Sequence, residues 1–354
     1  MKKTRVVVGM SGGVDSAVAA ALLRRQGYEV IGVTICFGLA EGARKKTGCC
    51  SLQGIEDARR VVHKLGIRHY VVNMRSQLEE RVIRDFLAEY LAGRTPNPCV
   101  LCNQYLKFGE LWNKARALDA EFLATGHYAR IVRTRQGLLI QKAKDPKKDQ
   151  SYFLYRLNQA QLKKVLFPLG RYTKEEVRGM ARRFKLPVAE KKASQEICFL
   201  PDDDYRVFLR QRLAKKMRPG PVIDSQGNIC GRHQGIAYYT VGQREGLGIS
   251  KGYPVYINRI DPKTNSIFIG SRQEASARSF LIKAPHFSLG QALKKKVALK
   301  VKIRYNHKET EAQISPKGEV IFKKPQFAIT PGQSAVFYSK NRVLGGAIID
   351  KVIA

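Results

Sequence analysis

This sequence is poor in acidic residues and in long apolar runs. Its 354 residues include 29 Asp and Glu against 64 Lys and Arg, which gives a net charge of +35 at pH 7. The first apolar run, around Val6 to Val8, is shorter than the roughly 7–15 residues of a secretory signal or the about 20 of a membrane span. We therefore expect a cytoplasmic protein without a membrane segment. Its basicity predicts a polyanionic partner, with nucleic acid as the first candidate and the ribosome or an anionic membrane surface as alternatives.

Two further absences narrow the chemistry. No Gly-Lys-Ser or Gly-Lys-Thr occurs, which argues against a Walker-type kinase or GTPase. The seven cysteines are an odd number without an export signal, so thiols in a reducing compartment are expected rather than a disulfide framework. What the sequence does have is a hydrophobic content of 44%, enough for sizeable cores in two or three domains.

The first part of the chain alternates between two kinds of pattern. Runs typical of strands and of helices follow one another at residues 5–8, 16–25, 29–35, 54–65, 68–73 and 121–125. Thr173 and Glu176 match a capping box that opens a later helix. This succession predicts an α/β doubly wound domain built on a parallel sheet.

From about Pro219 the pattern changes to short β-rich runs separated by turn residues. These runs lie at residues 235–241, 253–260, 266–270, 296–305, 311–314, 319–322, 334–338 and 345–352. Their spacing predicts small antiparallel sheets or a barrel. Residues 38–48 have the composition of a loop.

The hexapeptide Ser11-Gly-Gly-Val-Asp-Ser16 lies between the first predicted strand and the first helix. Backbone amides of a glycine turn and of a helix N-terminus bind anions, and Ser11 and Ser16 add hydroxyl donors. Asp15 would be repelled by a phosphate unless Mg²⁺ lay between them. The pattern therefore predicts a nucleotide phosphate site, and a plain glycine turn is the alternative.

Three cysteines are candidates for chemistry. Cys99 and Cys102 precede a helical pattern that runs from Tyr105 to Ala117, and Cys198 lies much further along the chain. A helix start favours the reactive thiolate, and two thiols can pass on a sulfur atom, one carrying it as a persulfide and the other resolving it as a disulfide. Cys-x-x-Cys is also half of a zinc site, but no second half follows at ligand spacing.

Several sequence blocks together carry a specific resemblance. Besides SGGVDS they are PNPCVLCN (96–103), TGHYAR (125–130), KDQSYFL (148–154), SQEICF (194–199), HQGIAYYTVGQREGLGI (233–249) and TPGQ (330–333). The hexapeptide resembles the pyrophosphatase (PP) loop of the N-type ATP pyrophosphatases. The whole set, which spans nearly the full chain in order, resembles the tRNA-specific 2-thiouridylases of the MnmA family.

The resemblance implies an activity and a domain plan. The activity is tRNA 2-thiolation: ATP-dependent replacement of the C2 oxygen of the wobble uridine by sulfur in tRNAs for Lys, Glu and Gln, giving 2-thiouridine, AMP and pyrophosphate. ATP and Mg²⁺ would serve as cofactors, the tRNA anticodon stem-loop and a persulfide-carrying sulfur-relay protein as partners. The plan comprises a PP-loop catalytic domain (1–201), a central β-rich tRNA-binding domain (202–275) and a C-terminal β-barrel (276–354).

The resemblance also implies roles for individual residues. Cys102 takes the place of the catalytic thiol and Cys198 that of the persulfide carrier. The residues implied to bind ATP are Gly9, Met10, Ser11, Gly12, Gly13, Val14, Asp15, Ser16, Ile35 and Gly126. The residues implied to contact tRNA are Asn97, Pro98, Cys99, His127, Lys148, Asp149, Gln150, Arg304, Tyr305 and Gln333.

Cys99 departs from the family pattern, because some members have an aspartate there. A thiol usually loses its proton near pH 8.5, so Cys99 is a poorer proton shuttle than a carboxylate at neutral pH. Two explanations stay open. Cys99 is a spare thiol, or Cys99, Cys102 and Cys198 together hold an iron–sulfur cluster, a set of ligands that three converging thiolates would suit.

The expected reaction begins with transfer of AMP to the uridine oxygen, after which sulfur from Cys198 attacks C2 and Cys102 closes on Cys198. The target base must leave its stack to reach the thiols. Two other functions compete with this one: a PP-loop synthetase with a small-molecule acceptor, and a non-enzymatic RNA-binding protein. Pyrophosphate release from ATP with and without tRNA would separate the three.

Overall fold

The computed structural model describes residues 3–38, 52–192, 197–200, 204–249 and 251–353. Apart from Gly38, the loop predicted over residues 38–48 lies outside these ranges. None of the helices within them is both long enough and apolar enough to cross a membrane.

The N-terminal part alternates strands and helices, as the sequence pattern predicts. Its elements are β1 (Arg5–Gly9), α1 (Val14–Arg25), β2 (Glu29–Cys36), α2 (Leu52–Leu65), β3 (Arg68–Asn73), α3 (Arg75–Leu78), a π-helical stretch (Glu79–Ile83), α4 (Arg84–Leu91), α5 (Pro98–Leu101), a second π-helical stretch (Cys102–Glu110), α6 (Leu111–Ala117), β4 (Phe122–Ala124), β5 (Ala129–Thr134), β6 (Gly137–Lys142), a 3₁₀ turn (Ser151–Leu154), α7 (Gln159–Leu162), β7 (Val165–Leu166), a 3₁₀ turn (Pro168–Arg171) and α8 (Lys174–Arg183).

Five of these strands form a parallel sheet in the order β3-β2-β1-β4-β7. Alternate residues of β1 enter different cores: Val6 and Val8 pack with α1, α2 and α8, whereas Val7 packs with the helices on the other face. The chain moves outward from β1 to β3 and then crosses to β4 on the other side of β1. Ligands of doubly wound sheets bind at such a reversal, beyond the carboxyl ends of the strands.

The remaining described elements are almost all β-structure. A helix, α9 (Tyr205–Leu213), and a 3₁₀ turn (Ala214–Lys216) lead into β8 (Gly220–Ile223), β9 (Ile229–His233), a 3₁₀ turn (Ile236–Tyr238), β10 (Tyr256–Asp261) and β11 (Ser266–Gly270). These strands make a four-stranded sheet in the order β10-β11-β8-β9 around a small core. The strand predicted over residues 235–241 is wrong, because Ile236–Tyr238 forms a 3₁₀ turn that follows Gly235, whose φ is +144°, and buries Ile236 and Ala237.

The last six strands close into a barrel. They are β12 (Ser276–Phe287), β13 (Val297–Lys302), β14 (Thr310–Ile314), β15 (Glu319–Phe327), β16 (Ser334–Ser339) and β17 (Arg342–Ile353). Their order is β12-β15-β14-β13-β16-β17, and β12 pairs with β17 to complete the circle. The predicted succession of a doubly wound α/β domain, a β-rich central domain and a C-terminal barrel is confirmed.

The barrel also has a strand partner from the first part of the chain. The hairpin β5–β6 adds to the edge of β17, where Arg342 pairs with Gln141 and Val343 with Ile140. Tyr152 donates a hydrogen bond to the backbone oxygen of Ser334 at 2.8 Å. One hydrophobic cluster accordingly includes residues of the parallel sheet and of the barrel. The predicted boundaries at 201 and 275 stay predictions.

Candidate active site

The loop between β1 and α1 has a conformation in which only glycine fits at position 12. Gly12 has φ +69°, and a Cβ atom there would lie 2.1 Å from the backbone oxygen of Gly54 on α2. That distance is far inside van der Waals contact, and the backbone conformation disfavours other residues. The loop therefore passes close to α2. The unpaired backbone amides at the start of α1 point out of the N-terminal end of that helix.

Ser16 holds this loop from inside. Its hydroxyl accepts a hydrogen bond from the Ser11 amide at 3.2 Å and donates one to the Gly13 oxygen at 3.1 Å. Ser16 is buried and Ser11 is exposed. Of the two predicted hydroxyl donors, Ser11 is the one that faces solvent, and Ser16 fixes the conformation of the turn.

Asp15 lies between two side chains from distant parts of the sequence. The Tyr128 hydroxyl donates to its carboxylate at 2.8 Å, and the Lys174 ammonium forms an ion pair with it. Burial and the Asp15 charge raise the pKa of Tyr128, so its hydroxyl keeps its proton and donates. Asp15 is the carboxylate of this loop that fits a Mg²⁺ ion held by nucleotide phosphates, which needs only one or two protein carboxylates.

A second lysine contacts the loop from the other side. The Lys191 ammonium donates to the Gly12 oxygen at 3.0 Å and pairs with Asp57, which is buried on α2. Hydrogen bonds from Lys191 and Arg60 outweigh the burial of Asp57 and keep its pKa below the usual value. Lys191 also begins the stretch that leads to Cys198, so it connects the loop to the segment of that cysteine.

The segment after β4 contacts both the loop between β1 and α1 and the helix that carries Cys99 and Cys102. A Cβ atom on Gly126 would lie 2.8 Å from the Ser16 nitrogen, so the backbone of this segment lies against the start of α1. The next residue, His127, packs its ring against Phe108 and Phe167 at centroid distances of 5.9 and 6.0 Å. Tyr128 then reaches Asp15. Three consecutive residues thus contact both parts of the site.

His127 is neutral in this environment. It is 8% exposed, and its Nδ1 lies 2.7 Å from the Thr125 hydroxyl oxygen. Burial, and secondarily the charge of Lys107, hold the pKa of His127 well below its usual value. The neutral, buried His127 ring therefore has a packing role between Phe108 and Phe167 and a hydrogen bond to Thr125.

The predicted catalytic thiol, Cys102, and the predicted persulfide carrier, Cys198, both contribute to one hydrophobic cluster. α5, the second π-helical stretch and α6 form a continuous helix from Pro98 to Ala117, with Cys99 in its first turn and Cys102 where the π-helical stretch begins. Such π-helical stretches are frequent at functional sites. Cys102 is 7% exposed within the cluster, and Cys198 is a half-buried residue that packs against it. Two cysteines that are far apart in sequence therefore contribute to the same extended hydrophobic cluster.

The three candidate iron–sulfur ligands do not form a metal site. Among the described residues, which include Cys99, Cys102 and Cys198, no three or more His, Cys, Asp or Glu side chains are grouped so that they could hold a metal ion. The three thiols of the described residues therefore do not fit a cluster held by all of them.

The predicted tRNA contacts fall into two places. Asn97, Pro98 and Cys99 lie at the start of the cysteine helix. Asp149 is 6% exposed and accepts hydrogen bonds from the Ala143 amide and the Ser151 hydroxyl, so it holds its own loop. The remaining predicted contacts lie around that loop and on the barrel.

Around that loop, the Gln150 amide donates to the Tyr128 backbone oxygen, and the Gln150 side-chain oxygen accepts from the Tyr128 amide. Lys148 is half-buried. On the barrel side, Tyr305 packs on Phe153 with a centroid distance of 4.6 Å, and Arg304 is half-buried beside it. Gln333 donates to the backbone oxygens of Thr95 and Pro96.

The other predicted ATP residues lie around the same crevice. Gly9 ends β1, Met10 is buried behind the loop, Val14 opens α1, and Ile35 lies near the carboxyl end of β2. The sequence did not single out Lys174, Lys191 or Tyr128. Two of these are lysines among many in a basic chain, and only the fold brings them to the loop.

Comparison with known proteins identifies the family. Three family models match in succession: the tRNA methyl transferase HUP domain over residues 4–202, the tRNA methyl transferase PRC-barrel domain over 206–271 and the aminomethyltransferase beta-barrel domain over 277–349. The chain is 49% identical over 360 residues to the tRNA-specific 2-thiouridylase MnmA 1 of Caldanaerobacter subterraneus subsp. tengcongensis, covering 99% of this chain and 98% of the relative. It is 49% identical over 352 residues to the MnmA of Halothermothrix orenii, covering 98% of each chain. The chain therefore belongs to the family of tRNA-specific 2-thiouridylases.

Proposed function

We propose that this protein is a tRNA sulfurtransferase that converts the wobble uridine of tRNAs for Lys, Glu and Gln to 2-thiouridine at the expense of ATP. The family membership supports the overall reaction. The observation that supports the sulfur chemistry is that Cys102 belongs to a hydrophobic cluster against which Cys198 also packs. A small-molecule synthetase built on the same loop would need neither thiol.

ATP is proposed to bind beyond the carboxyl ends of β1 and β4. The loop amides and the start of α1 would receive the phosphates, and Ser11 is the exposed hydroxyl beside them. Mg²⁺ bound there would neutralise phosphate charge, with Asp15 as its protein ligand. Lys174 and Lys191 are cations in contact with the same loop.

The proposed reaction has three steps. The uridine O2 attacks the α-phosphorus of ATP, and pyrophosphate leaves. The terminal sulfur of a persulfide on Cys198 then attacks C2, and the C2–O2 bond breaks as AMP leaves. Finally the Cys102 thiolate attacks the Sγ of Cys198, so that the sulfur–sulfur bond of the persulfide breaks, the sulfur stays on the base and a Cys102–Cys198 disulfide forms. An external dithiol supplies the two electrons that restore both thiols.

The proposed partners follow from the same chemistry. The anticodon stem-loop must present an unstacked uridine to the start of the cysteine helix, where Asn97 and Cys99 lie. A sulfur-relay protein carrying a persulfide would load Cys198, which is more exposed than Cys102. Because the disulfide must be reduced in every cycle, a reducing compartment such as the cytoplasm suits the enzyme.

The decisive experiment is mass analysis of the nucleosides of unmodified tRNA after incubation with protein, ATP, Mg²⁺ and a persulfide source under anaerobic conditions. Wild type should form 2-thiouridine, and Cys102→Ala and Cys198→Ala should not. Cys99→Ala should retain activity if Cys99 is a spare thiol. The proposal would be overturned if pyrophosphate release were independent of tRNA and if the Cys102→Ala and Cys198→Ala proteins released pyrophosphate as fast as wild type.

A further inference from the structure

The segment that leads into the cysteine helix is held by the two other parts of the molecule. Gly93 lies against the central sheet, where a Cβ atom would approach Ile260 Cγ2 to 2.7 Å. The Thr95 hydroxyl donates to that of Thr240 at 3.1 Å. On the barrel side, the Thr95 amide donates to the Pro331 oxygen at 2.8 Å. The backbone before Cys99 and Cys102 is therefore fixed from outside its own domain.

Arg94 strengthens this attachment. Its guanidinium donates to the Glu89 carboxylate at 2.7 Å, to the Asp350 oxygen at 2.9 Å and to the Ile349 oxygen at 3.0 Å. The side chain is only 15% exposed. A planar fork that binds three acceptors at once restricts the orientation of the adjoining backbone.

Gln333 makes the contact nearest to the cysteines. Its Nε2 donates to the Thr95 oxygen at 3.0 Å and to the Pro96 oxygen at 3.2 Å. Gln333 is itself fixed, because its backbone oxygen accepts from the Ile349 amide at 2.8 Å and its amide donates to Thr330 at 3.2 Å. The preceding Gly332 lies so close that a Cβ atom would approach the Thr95 backbone to 2.9 Å. One rigid corner of the barrel thus binds two consecutive carbonyl groups.

These two carbonyls directly precede the start of the helix. Asn97 occupies the cap position and Pro98 the first turn, so a shift at Thr95 and Pro96 moves the origin of the helix that carries Cys102. We propose that Gln333 is a positioning residue, which orients the Cys102 thiol by holding the Thr95 and Pro96 carbonyls against the barrel. This inference rests on the proposed role of Cys102.

The proposal differs from a direct contact with RNA. An amide group donates through two N–H bonds, and both are directed to the protein backbone here. A Gln333 that served mainly to bind tRNA would affect the affinity for tRNA. A Gln333 that positions the helix would affect the rate of sulfur transfer and the state of the helix in the absence of tRNA.

Gln333→Glu tests the proposal, because the ionised carboxylate has the same shape but no donor and repels the two carbonyl oxygens. Gln333→Met removes the donors without adding charge. Gln313→Glu is the matched control, since Gln313 is an exposed glutamine of the same barrel. We expect kcat for 2-thiouridine formation to fall about tenfold or more in both Gln333 variants, because small misplacements of reacting groups can cost about 100-fold. The KM for tRNA should stay within about twofold of wild type.

A second measurement does not depend on turnover. After reduction and without tRNA or ATP, amide hydrogen exchange over residues 93–102 and alkylation of the buried Cys102 should both accelerate in the Gln333 variants and remain unchanged in Gln313→Glu. Lowering the pH should partly restore the protection factors, which are corrected for the intrinsic slowing of exchange at low pH, in Gln333→Glu, because a protonated carboxyl regains one donor, and should not do so in Gln333→Met. Unchanged exchange and alkylation in both variants would overturn the positioning role even if the protein proved not to thiolate tRNA. A loss confined to the KM for tRNA would assign Gln333 to RNA binding instead.

Discussion

The carboxylate of Asp15 is neutralised by Lys174, whose side chain is 15% exposed at the nucleotide loop. The Lys174 ammonium therefore lies beside the loop whose amides would receive phosphate. Lys174→Gln should therefore weaken ATP binding about tenfold, since charge-assisted hydrogen bonds contribute about 1.5–3 kcal/mol. Titration calorimetry with a non-hydrolysable ATP analogue and Mg²⁺ measures this change.

Lys144 supplies the matched control for Lys174. It is an exposed lysine that pairs with Glu176 on the same helix as Lys174, but none of its described contacts is with the loop. Lys144→Gln should leave ATP affinity within about twofold of wild type, as expected for an exposed ion pair. Equal affinities of Lys174→Gln and wild type would show that Lys174 only neutralises Asp15.

The buried imidazole of His127 predicts a dependence of stability on pH. Its pKa is well below the usual 6.5 because of burial, so the folded protein leaves it neutral while the unfolded chain takes up a proton below about pH 6.5. This contribution is complete above pH 6.5 and is lost as the pH falls towards the folded pKa. Its slope approaches about 1.4 kcal/mol per pH unit.

The corresponding experiment compares His127→Asn with wild type by urea unfolding at pH 7.5 and 5.5. Wild type should lose more free energy of unfolding than the variant between these two values. His63→Asn is the control, because His63 is an exposed histidine on α2. A pH dependence identical in wild type and His127→Asn would contradict a neutral buried His127.

At the residue scale, sequence alone predicted the residues whose chemistry is local. SGGVDS forms the expected turn before a helix, and Thr173 and Glu176 make the predicted capping box. Lys174 and Lys191 could not be predicted from the sequence, because their contacts with the loop between β1 and α1 join parts of the chain that are far apart. No short pattern records such contacts.

At the scale of elements, two glycines give opposite expectations for the same substitution. Gly12→Ala places a methyl group against the Gly54 oxygen and strains a backbone with φ +69°, so ATP binding and stability should both fall, the latter by about 1–3 kcal/mol. Gly179 is an exposed residue of α8 with no atom within 4 Å of an added Cβ. Gly179→Ala should stabilise the protein by about 0.5–1 kcal/mol.

Thermal unfolding and ATP titration of the two variants test this contrast. The expected order of melting temperature is Gly179→Ala above wild type above Gly12→Ala, with ATP affinity reduced in Gly12→Ala alone. A Gly12→Ala protein with wild-type stability and affinity would mean that the loop moves away from α2 at little cost.

Whether an element could be predicted depended on how local its support is. Continuous apolar runs such as those of β1 and β2 were predicted because both faces of a parallel sheet are buried. The run at residues 235–241 was misassigned because apolar composition does not distinguish a buried turn from a strand. β12 was missed since its sequence contains Pro285 and the charges of Arg278 and Lys283, and its length is supported by two neighbours, β15 and β17.

At the scale of the whole molecule, the net charge of +35 predicts how tRNA binding responds to salt. Each phosphate that a lysine or arginine neutralises releases counterions, so the logarithm of the association constant should fall linearly with the logarithm of salt concentration. Six or more such contacts would lower the affinity about 1,000-fold between 50 and 200 mM salt.

Filter binding or fluorescence anisotropy with unmodified tRNA over that range measures the slope. The same titration with the ATP analogue is the control, because a small ligand can contact far fewer lysines and arginines than a tRNA and should show a much weaker dependence. A flat response of tRNA binding to salt would exclude contacts of lysine and arginine with phosphates as the main source of affinity.

The pairing of the β5–β6 hairpin with β17 has a consequence for synthesis of the chain on the ribosome. The hairpin emerges early, but the edge of β6 meets its partner only when residues 342 and 343, near the end of the chain, have been made. Until then the hairpin exposes an unpaired edge and the apolar residue Ile140 that β17 later covers. Deletion of β17 should therefore damage the nucleotide-binding part as well as the barrel, and the nascent protein stays exposed to aggregation until β17 has been released.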